Sequence, residues 1–376
     1  MLMIPGPSQP DPEVLAALSQ PVLPHYGREW KAIYDDTTSD LKKVFATKKD
    51  VLLVPVPGQV ALEMAAVNLV GRGGTGFVCV NGVFSGMVPE IIKRLGGRSK
   101  VIRASLGRGV TPEQVKESLD SVRDPAGMPL FIVHTETSTG AASDAAEVFK
   151  VCKKRGVITV LDAISSFGGM DIQADEWGAD MVLGYASKAL GGVFGAQPLA
   201  VGKAVWDASK KNRARIHSYF LDLNVWRESI EEDSSWGHPY PSSMPTSVIV
   251  AMRKAVELVL REGLANRYRR HASAARQMRE GFTRLGLETF TNPAFFSNTV
   301  SVARVNPAWG SKVRTMLLDR HDIMIANGLG PLSGKVIRIG HMGTSATHEA
   351  ISMTVDGLAD VLRSVRDVPA AAPRTR

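Results

Sequence analysis

The sequence predicts an α/β protein, in which a large, doubly wound and mostly parallel sheet is followed by a smaller α+β domain. Through the first two thirds of the chain, short apolar runs alternate with helical patterns, at residues 51–54, 77–80, 131–133, 157–161 and 181–184. These runs are continuously apolar, which is typical of parallel strands buried on both faces. After residue 245 the pattern changes to two long helical segments followed by short strands. Strands that alternate with helices in this way favour the doubly wound architecture.

Length and composition indicate an ordinary soluble protein with more than one domain. The chain has 376 residues, of which 44% are hydrophobic and 22% charged, enough for a large core. No apolar run approaches the roughly 20 residues that cross a bilayer, and residues 1–5 lack the basic region of a secretory signal. The two cysteines, Cys79 and Cys152, lie in elements predicted to be buried and show no metal-ligand spacing. A reducing, cytoplasmic location is therefore expected.

The formal charge of +8 raises the question of nucleic-acid binding. The lysines and arginines are spread along helical segments, are not interleaved with aromatic residues, and form no nucleic-acid-binding motif. The pattern instead predicts a solvated basic surface, which would attract small anionic substrates.

A glycine-containing turn follows the first predicted strand. Residues 1–10 are expected to be extended, and helices are expected at 12–19 and 29–46, before the strand at 51–54. Residues 57–60 then lead into a helix over 61–70. A glycine at a strand-to-helix turn leaves backbone N–H groups free to bind a phosphate. The same turn is also consistent with a simple connection.

The run Gly71 to Gly76 matches the G-x-G-x-x-G pattern in an inverted context. A predicted helix precedes it and a predicted strand follows it, whereas the dinucleotide fingerprint requires the opposite order. It is therefore interpreted as a loop. The next helix is predicted to end at Leu95, before two glycines. Phe84, which follows the strand at 77–80, is consistent either with stacking on a planar cofactor or with core packing.

The stretch 157–188 places an acid and a lysine after two neighbouring predicted strands. The strand at 157–161 is followed by Asp162, and the strand at 181–184 is followed by Lys188. Open parallel sheets bind ligands outside the carboxyl ends of their strands. An acid and a lysine placed there suit pyridoxal phosphate, since the lysine forms a Schiff base with it and the acid holds its pyridinium nitrogen.

The remaining elements complete the predicted domain organisation. A helix capped by Thr111, a helix capped by Ser143 or Asp144, and a strand near 199–201 belong to the large domain. Further helices are expected at 246–261, 265–285, 311–320 and 347–364, with strands at 299–303 and 335–339. The predicted divisions are an N-terminal segment with a short helix over 1–20, a large cofactor-binding domain over 21–245, a small domain over 246–366, and a disordered tail over 367–376.

Five motifs in order resemble those of the class V aminotransferases of pyridoxal phosphate fold type I. They lie at 5–7 (PGP), 134–140 (HTETSTG), 162–166 (DAISS), 187–188 (SK) and 338–343 (RIGHMG). The resemblance is strongest to the alanine–glyoxylate and serine–glyoxylate aminotransferases. The 2-aminoethylphosphonate–pyruvate and pyridoxamine–pyruvate aminotransferases are close relatives. The sequence differs from the usual family pattern at 56–59 (VPGQ), at Ser187 and at 191–195 (GGVFG).

The resemblance implies roles for individual residues. Lys188 would form the Schiff base and move the substrate proton, and Asp162 would pair with the pyridinium N–H. Arg338 would bind the substrate carboxylate. The other residues implied to bind the cofactor are Gly58, Gln59, Val60, Phe84, Thr139, Ser187, Tyr240 and Ser243. Tyr240 and Ser243 match positions that reach the phosphate of a neighbouring subunit, which implies a homodimer with shared active sites.

The implied activity is transfer of an amino group from alanine or serine to glyoxylate or pyruvate. The alternative, aminoethylphosphonate (or pyridoxamine) transamination with pyruvate, would for the phosphonate require a second cationic group, for which Arg28 is the only candidate. A desulfurase is disfavoured because both cysteines lie in predicted core elements. An inactive binding module of the same fold is disfavoured because Asp162, Lys188 and Arg338 are all present.

Overall fold

The computed structural model describes residues 1–232 and 238–366. The first part contains α1 (Pro12–Leu18), α2 (Arg28–Phe45), β1 (Asp50–Val54), α3 (Gly58–Leu69), β2 (Thr75–Val80), α4 (Met87–Arg94), β3 (Arg98–Arg103), α5 (Pro112–Asp120), β4 (Pro129–Val133), β5 (Thr135–Glu136), β6 (Ala141–Ala142), α6 (Ala145–Lys153), β7 (Ile158–Asp162), β8 (Met181–Leu183), β9 (Gln197–Val201), α7 (Lys203–Asn212) and α8 (Leu223–Glu232). The second part contains α9 (Thr246–Glu262), α10 (Leu264–Arg284), β10 (Val300–Arg304), α11 (Gly310–His321), β11 (Ala326–Asn327), β12 (Val336–Gly340) and α12 (His348–Arg366).

A seven-stranded sheet in the order β1-β9-β8-β7-β4-β2-β3 forms the centre of the fold. The pairs β8–β7, β7–β4, β4–β2 and β2–β3 are parallel, whereas β9 runs antiparallel to both of its neighbours. The predicted mostly parallel α/β architecture is confirmed. An antiparallel neighbour needs no crossover helix, and between β8 and β9 the chain forms only a short turn, Ala186–Leu190.

The sheet and its helices share one large apolar core. Its fully buried aromatic side chains come from strands, from a helix and from the loop after β7, and they include Phe77, Phe131, Phe149 and Phe167. Each such burial contributes about 1.5–3 kcal/mol to folding. This core fixes the strand register, in which Asp162 at the end of β7 pairs with Leu183 at the end of β8. The carboxyl ends of these two strands therefore meet.

A second, three-stranded sheet in the order β10-β12-β11 has its own apolar cluster. The N-terminal segment joins it, because Met3 is buried in that cluster and its carbonyl accepts a hydrogen bond from Gly340 N–H at 2.9 Å. Residues after Met3 then lead towards the large sheet. The division of the chain into domains near residue 246 stays a prediction, and the predicted tail over 367–376 lies outside the described residues.

Two predicted element boundaries, at the G-x-G-x-x-G run and at Thr111, are confirmed. The G-x-G-x-x-G run lies between the end of α3 and the start of β2. Thr111 caps α5, and its hydroxyl and the side chain of Gln114 form a reciprocal capping box. The helix after β1 differs from its predicted bounds, because α3 begins at Gly58 rather than at Ala61. Of the helices in the described ranges, none has the length and apolarity needed to cross a membrane.

Candidate active site

A cavity of about 340 Å³ opens at the carboxyl edge of the large sheet. The ends of β4, β7 and β8, the start of α3, the N-terminal segment and β12 all contribute to its wall. Seven of the residues predicted from the sequence line this one cavity, namely Gly58, Gln59, Phe84, Asp162, Ser187, Lys188 and Arg338. Residues separated by as many as 280 positions in the chain, Gly58 and Arg338, thus lie in one cavity.

Lys188 lies in a π-helical turn, Ala186–Leu190, which we call the Lys188 turn. The backbone of Lys188 is not helical, with φ −118° and ψ −125°, and Gly191 ends the turn with φ 84°. Lys188 Nζ donates a hydrogen bond to Ser165 Oγ at 2.9 Å and lies 5.5 Å from the centroid of the Phe84 ring. The ammonium group is therefore held inside the cavity by a neutral partner and the face of an aromatic ring.

Burial lowers the pKa of Lys188 to about 8, against the opposing effect of the carboxylates of Asp162 and Glu136 and with a further lowering by Arg338. A lysine with this pKa loses its proton far more readily at neutral pH than an exposed one does, as a nucleophile or general base requires.

Asp162 is the last residue of β7, and its side chain turns back onto its own loop. The backbone N–H of Ile164 donates to Asp162 Oδ1 at 2.9 Å. The pKa of Asp162 is raised to about 6, chiefly by burial and to a smaller degree by Glu136, while the Ile164 hydrogen bond and Lys188 oppose this rise. The carboxyl group is thus buried at the edge of the cavity, where a cationic ligand group would stabilise its ionised form.

Phe84 lies in a loop that a buried carboxylate supports. Glu136 is fully buried, and its carboxylate accepts hydrogen bonds from Ser85 N–H at 2.8 Å, Ser85 Oγ at 2.9 Å and Ser138 Oγ at 2.6 Å. A buried carboxylate is tolerated only when it is hydrogen-bonded in this way. Gly82 passes so close to Glu136 that an added β-carbon would lie 2.3 Å from Glu136 Cγ.

The start of α3 presents backbone donors to the cavity. Its N-cap, Pro57, makes no side-chain capping hydrogen bond, so the backbone N–H groups of Gly58 and Gln59, at the positive end of the helix, are available to an anion. The Ser187 Oγ, which lines the same cavity, is buried and makes no hydrogen bond of good geometry in the described part of the chain; its one polar neighbour close enough to interact is the phenol of Tyr185. An orphaned buried hydroxyl beside a helix start is the arrangement that a phosphate would satisfy.

Val60, the third residue predicted at the phosphate turn, neither lines the cavity nor has a free backbone N–H. Its backbone N–H donates to Pro57 O at 3.0 Å, and its side chain packs against the large core rather than lining the cavity. The backbone bond is internal to the first turn of α3. Of the three residues predicted at the phosphate turn, the cavity therefore contains Gly58 and Gln59 but not Val60.

Arg338 projects from β12 into the opposite side of the cavity. Its Nε donates to Asn327 O at 2.6 Å and its Nη1 donates to Thr137 O at 3.1 Å. Burial lowers the pKa of Arg338 to about 10, so the guanidinium stays charged at neutral pH. These two bonds fix the plane of the group and use two of its five N–H donors, which leaves a fork for a carboxylate.

Thr139, Tyr240 and Ser243 do not line the cavity. Thr139 is buried, and its carbonyl accepts from Thr291 Oγ1 at 2.6 Å. Tyr240 is buried within its own chain, where its hydroxyl accepts from Trp30 Nε1 and donates to the His25 carbonyl. Ser243 is exposed. Since Tyr240 and Ser243 were predicted to act in a neighbouring subunit, their roles stay predictions.

The structure adds site residues that the sequence reasoning did not single out. Ser165 accepts the hydrogen bond of Lys188 Nζ, and Thr137 supplies the carbonyl that holds Arg338. Both lie inside motifs that were recognised, at 162–166 and 134–140, so the signal was present without a role attached. Gly6 and Tyr185 also line the cavity. Arg28, by contrast, is exposed and is not among the cavity's lining residues.

A lysine and an aspartate at adjacent strand ends, beside an aromatic ring and a helix N-terminus, define a pyridoxal-phosphate-dependent enzyme of fold type I. The family model described as aminotransferase class-V matches residues 5–353. The chain belongs to this family and is a pyridoxal-phosphate-dependent transaminase.

Individual relatives agree over nearly the whole chain. An uncharacterized aminotransferase of Methanocaldococcus jannaschii is 33% identical over 353 residues, which is 94% of this chain and 90% of that protein. The (S)-ureidoglycine–glyoxylate transaminase of Bacillus subtilis is 28% identical over 96% of this chain and 90% of its own length. The crystal structure of an alanine–glyoxylate aminotransferase from Nostoc sp. superimposes with a TM-score of 0.90 at 28% identity, and covers 96% of this chain and 95% of that one.

Proposed function

We propose that this transaminase transfers an amino group from a small monocarboxylic amino acid, alanine or serine, to glyoxylate or pyruvate. The observation that carries the proposal is the charge of the cavity wall. Among the described residues that line it, Lys188 and Arg338 are the only cationic side chains. With Lys188 committed to the reaction, one guanidinium remains, and it matches one carboxylate. The names of the Nostoc and Bacillus relatives, both glyoxylate enzymes, support the acceptor.

The charges of the residues that line the cavity do not support the aminoethylphosphonate alternative. A phosphonate substrate needs a cationic partner at the amine half-reaction, and the only candidate named from the sequence, Arg28, is exposed and does not line the cavity. The inactive-module alternative is also disfavoured. A buried lysine whose pKa is lowered by burial costs folding free energy, and a chain without catalysis has no need to retain it.

The residues present fit pyridoxal phosphate. The start of α3 and the buried Ser187 hydroxyl would bind its phosphate. Phe84 would stack on the face of its ring. Asp162 would accept a hydrogen bond from its pyridinium N–H, and Lys188 would bond to its carbonyl carbon. When bound, the cofactor supplies an electron sink for the charge that develops at the substrate Cα. Thr139 and Val60 remain proposed contacts that the cavity wall itself does not include.

Three side chains of the cavity have separate roles in the proposed reaction. Arg338 binds the substrate carboxylate through its two-pronged fork and so orients the Cα–H bond. Lys188 Nζ, held by Ser165 Oγ at 2.9 Å, would take the proton from substrate Cα as a general base and deliver it as a general acid to C4′ of the cofactor. Asp162 keeps the cofactor nitrogen protonated because its carboxylate is ionised against that cation.

The assembly and location belong to the same proposal. It includes a homodimer in which Tyr240 and Ser243 of one chain face the site of the other, and of these two residues only the exposed Ser243 is accessible to a partner chain. A cytoplasmic location is supported by the two cysteines, Cys79 and Cys152, which are both free and buried, as expected in a reducing compartment.

The test is the visible spectrum of the purified holoenzyme after addition of a single amino donor without an acceptor. Alanine or serine is expected to bleach the band of the lysine-bound cofactor, and glyoxylate or pyruvate is expected to restore it. Aminoethylphosphonate and pyridoxamine, in parallel samples, are expected to leave it unchanged. Bleaching by aminoethylphosphonate alone would reject the proposed donor class. A band that no donor bleaches would reject transamination of all these substrates.

A further inference from the structure

The backbone of the Lys188 turn is held from outside by other parts of the chain. Ser8 contributes two donors: its N–H donates to Ser187 O at 2.9 Å, and its hydroxyl donates to Lys188 O at 2.6 Å. The backbone at Ser187 and Lys188 is not helical. Within the turn, Gly191 N–H donates to Lys188 O at 3.0 Å and Gly192 N–H donates to Ala186 O at 2.8 Å, and the two bonds from Ser8 add to these. The conformation that places Lys188 in the cavity is therefore supported by donors from outside the turn as well as by its own glycines.

Arg267 provides the second external support. Its Nη2 donates to the carbonyls of Ala189 at 2.7 Å and Leu190 at 3.0 Å, and its Nε donates to Gly168 O at 2.6 Å. The same guanidinium thus joins the turn after Lys188 to the loop that carries Ser165, the hydrogen-bond partner of Lys188 Nζ. Arg267 is only 6% exposed, and the planar guanidinium is well suited to bridging several carbonyls at once.

A carboxylate connects Arg267 to a second arginine on α10. Glu262 accepts from Arg267 Nη1 at 2.9 Å and from Arg270 Nε at 2.7 Å. Arg270 Nη1 in turn donates to the carbonyls of Gly343 at 2.8 Å and Ala346 at 2.9 Å. The burial cost of the two cations is offset by these bonds.

The segment that Arg270 holds follows β12, the strand that carries Arg338. Gly343 packs directly on the end of the Lys188 turn, where an added β-carbon would lie 3.2 Å from Gly191 Cα. The two residues predicted to react with and to bind the substrate, Lys188 and Arg338, are thus attached to one cluster of charged side chains on α9 and α10.

We propose that Arg267 is a positioning residue for Lys188, which holds the Lys188 turn in the conformation that points Nζ into the cavity. Arg267 is not among the residues that line the active-site cavity, so it acts through the backbone of the turn. The inference rests on the proposed function only in taking Lys188 as the reacting lysine. An arginine with a purely structural role would change stability alone.

The substitution Arg267→Ala separates these roles when it is compared with Arg279→Ala. Arg279 lies on the same helix and is partly buried, and its Nη1 donates to Ser297 O at 3.1 Å, away from the Lys188 turn. Arg267→Ala is expected to lower kcat by about 10- to 100-fold, since small misplacements of a reacting group cost this much. The KM for the carboxylic acid substrate is expected to change much less, because Arg338 keeps its own contacts. Arg279→Ala is expected to leave kcat near that of the wild type.

Hydrogen exchange and rescue by guanidinium ion provide two further tests of the role of Arg267. Hydrogen exchange of the cofactor-free protein is expected to be faster at residues 186–192 in Arg267→Ala, but not in Arg279→Ala. Arg267 also lines a separate cavity of about 490 Å³ that is open to solvent, so guanidinium ion at low concentration is expected to restore part of the kcat of Arg267→Ala. Arg267→Lys keeps the positive charge but not the planar guanidinium, and its kcat is expected to lie between those of the wild type and Arg267→Ala.

Equal losses of kcat in Arg267→Ala and Arg279→Ala would overturn the inference, and so would unchanged exchange at residues 186–192. If Arg267→Ala does not fold, the exchange of Arg267→Lys decides the same question. If the wild-type protein proves inactive with every donor, the proposed function fails, but the exchange measurement still tests whether Arg267 holds the turn.

Discussion

The side chain of Lys188 lies against the backbone of Gly6. A β-carbon on Gly6 would lie 3.0 Å from Lys188 Cε and 3.2 Å from Lys188 Cγ, closer than real β-carbons normally approach. Gly6 also has a φ of 119°, a conformation that other residues rarely adopt. The N-terminal segment therefore forms the wall along which the lysine reaches the cavity.

Gly6→Ala is accordingly expected to displace Lys188 Nζ from Ser165 and to slow formation of the visible cofactor band when pyridoxal phosphate is added to the cofactor-free protein. The matched control is Gly127→Ala, at another glycine with positive φ where an added β-carbon meets nothing within 4 Å. The control measures the cost of placing alanine at a positive φ, here 74°, without a contact to Lys188. Equal rates of band formation in the two variants would show that the contact with Lys188 is unimportant.

Glu136→Gln tests the support of Phe84. Glutamine has an NH₂ group where the carboxylate now accepts from Ser85 and Ser138, so donors would face donors. The expected result is a loss of about 1–3 kcal/mol in the free energy of unfolding, together with weaker binding of pyridoxal phosphate because the Phe84 loop shifts. Urea unfolding and cofactor titration measure the two effects. Glu288→Gln, at an exposed carboxylate paired with Arg304, is the control and is expected to change neither.

Asp162→Asn tests the charge at the end of β7 with little change in shape. Asparagine keeps the oxygen that accepts from Ile164 N–H, but it has no charge to hold a protonated pyridine nitrogen. The expected result is a fall in kcat of about 100-fold or more. The thermal stability of the cofactor-free protein at neutral pH should not fall, since burial makes the ionised carboxylate costly, as its raised pKa shows. An active Asp162→Asn enzyme would exclude the assigned role.

Lys188→Met tests the electrostatic cost of the buried lysine through the pH dependence of stability. Burial lowers the pKa of Lys188 from an ordinary 10.5 to about 8 in the folded, cofactor-free protein. Between these values the unfolded state binds more protons, so the wild type loses stability as the pH falls from about 10.5 to about 8. Lys188→Met should therefore melt above the wild type at neutral pH, and the difference should shrink as the pH rises towards 10.5.

The control for this comparison is Lys203→Met, at an exposed lysine paired with Asp207. It removes one positive charge without relieving burial. A melting difference between Lys188→Met and wild type that does not vary over this pH range would contradict the assigned environment of Lys188.

The large sheet was predictable because its strands are continuously apolar and its helices carry clear end signals. The run at 157–161 and Asp162 behind it led directly to β7 and its terminal carboxylate, and Thr111 marked the start of α5. The antiparallel direction of β9 was not specified, because a strand of five buried residues looks the same in either direction. Its direction depends on the length of the connection before it.

The site was predictable where a motif lay at a strand end and was missed where distant segments meet. Lys188, Asp162 and Arg338 were predicted from such motifs and lie in one cavity, whereas the contacts of Ser8 and Arg267 with the Lys188 turn join residues 180 and 78 positions apart. No local pattern encodes such a contact. The π-helical form of the Lys188 turn was also missed, since bonds from the distant residues Ser8 and Arg267 support it in addition to the turn's own backbone bonds.

The most direct test of the account is to reduce the holoenzyme with borohydride and to locate the attached cofactor by peptide mass spectrometry. The account predicts the mass of reduced pyridoxal phosphate on the peptide that contains Lys188, and its loss in Lys188→Arg. Attachment at another lysine of the wild type, or a wild-type protein that gains no such mass after incubation with pyridoxal phosphate, would contradict it.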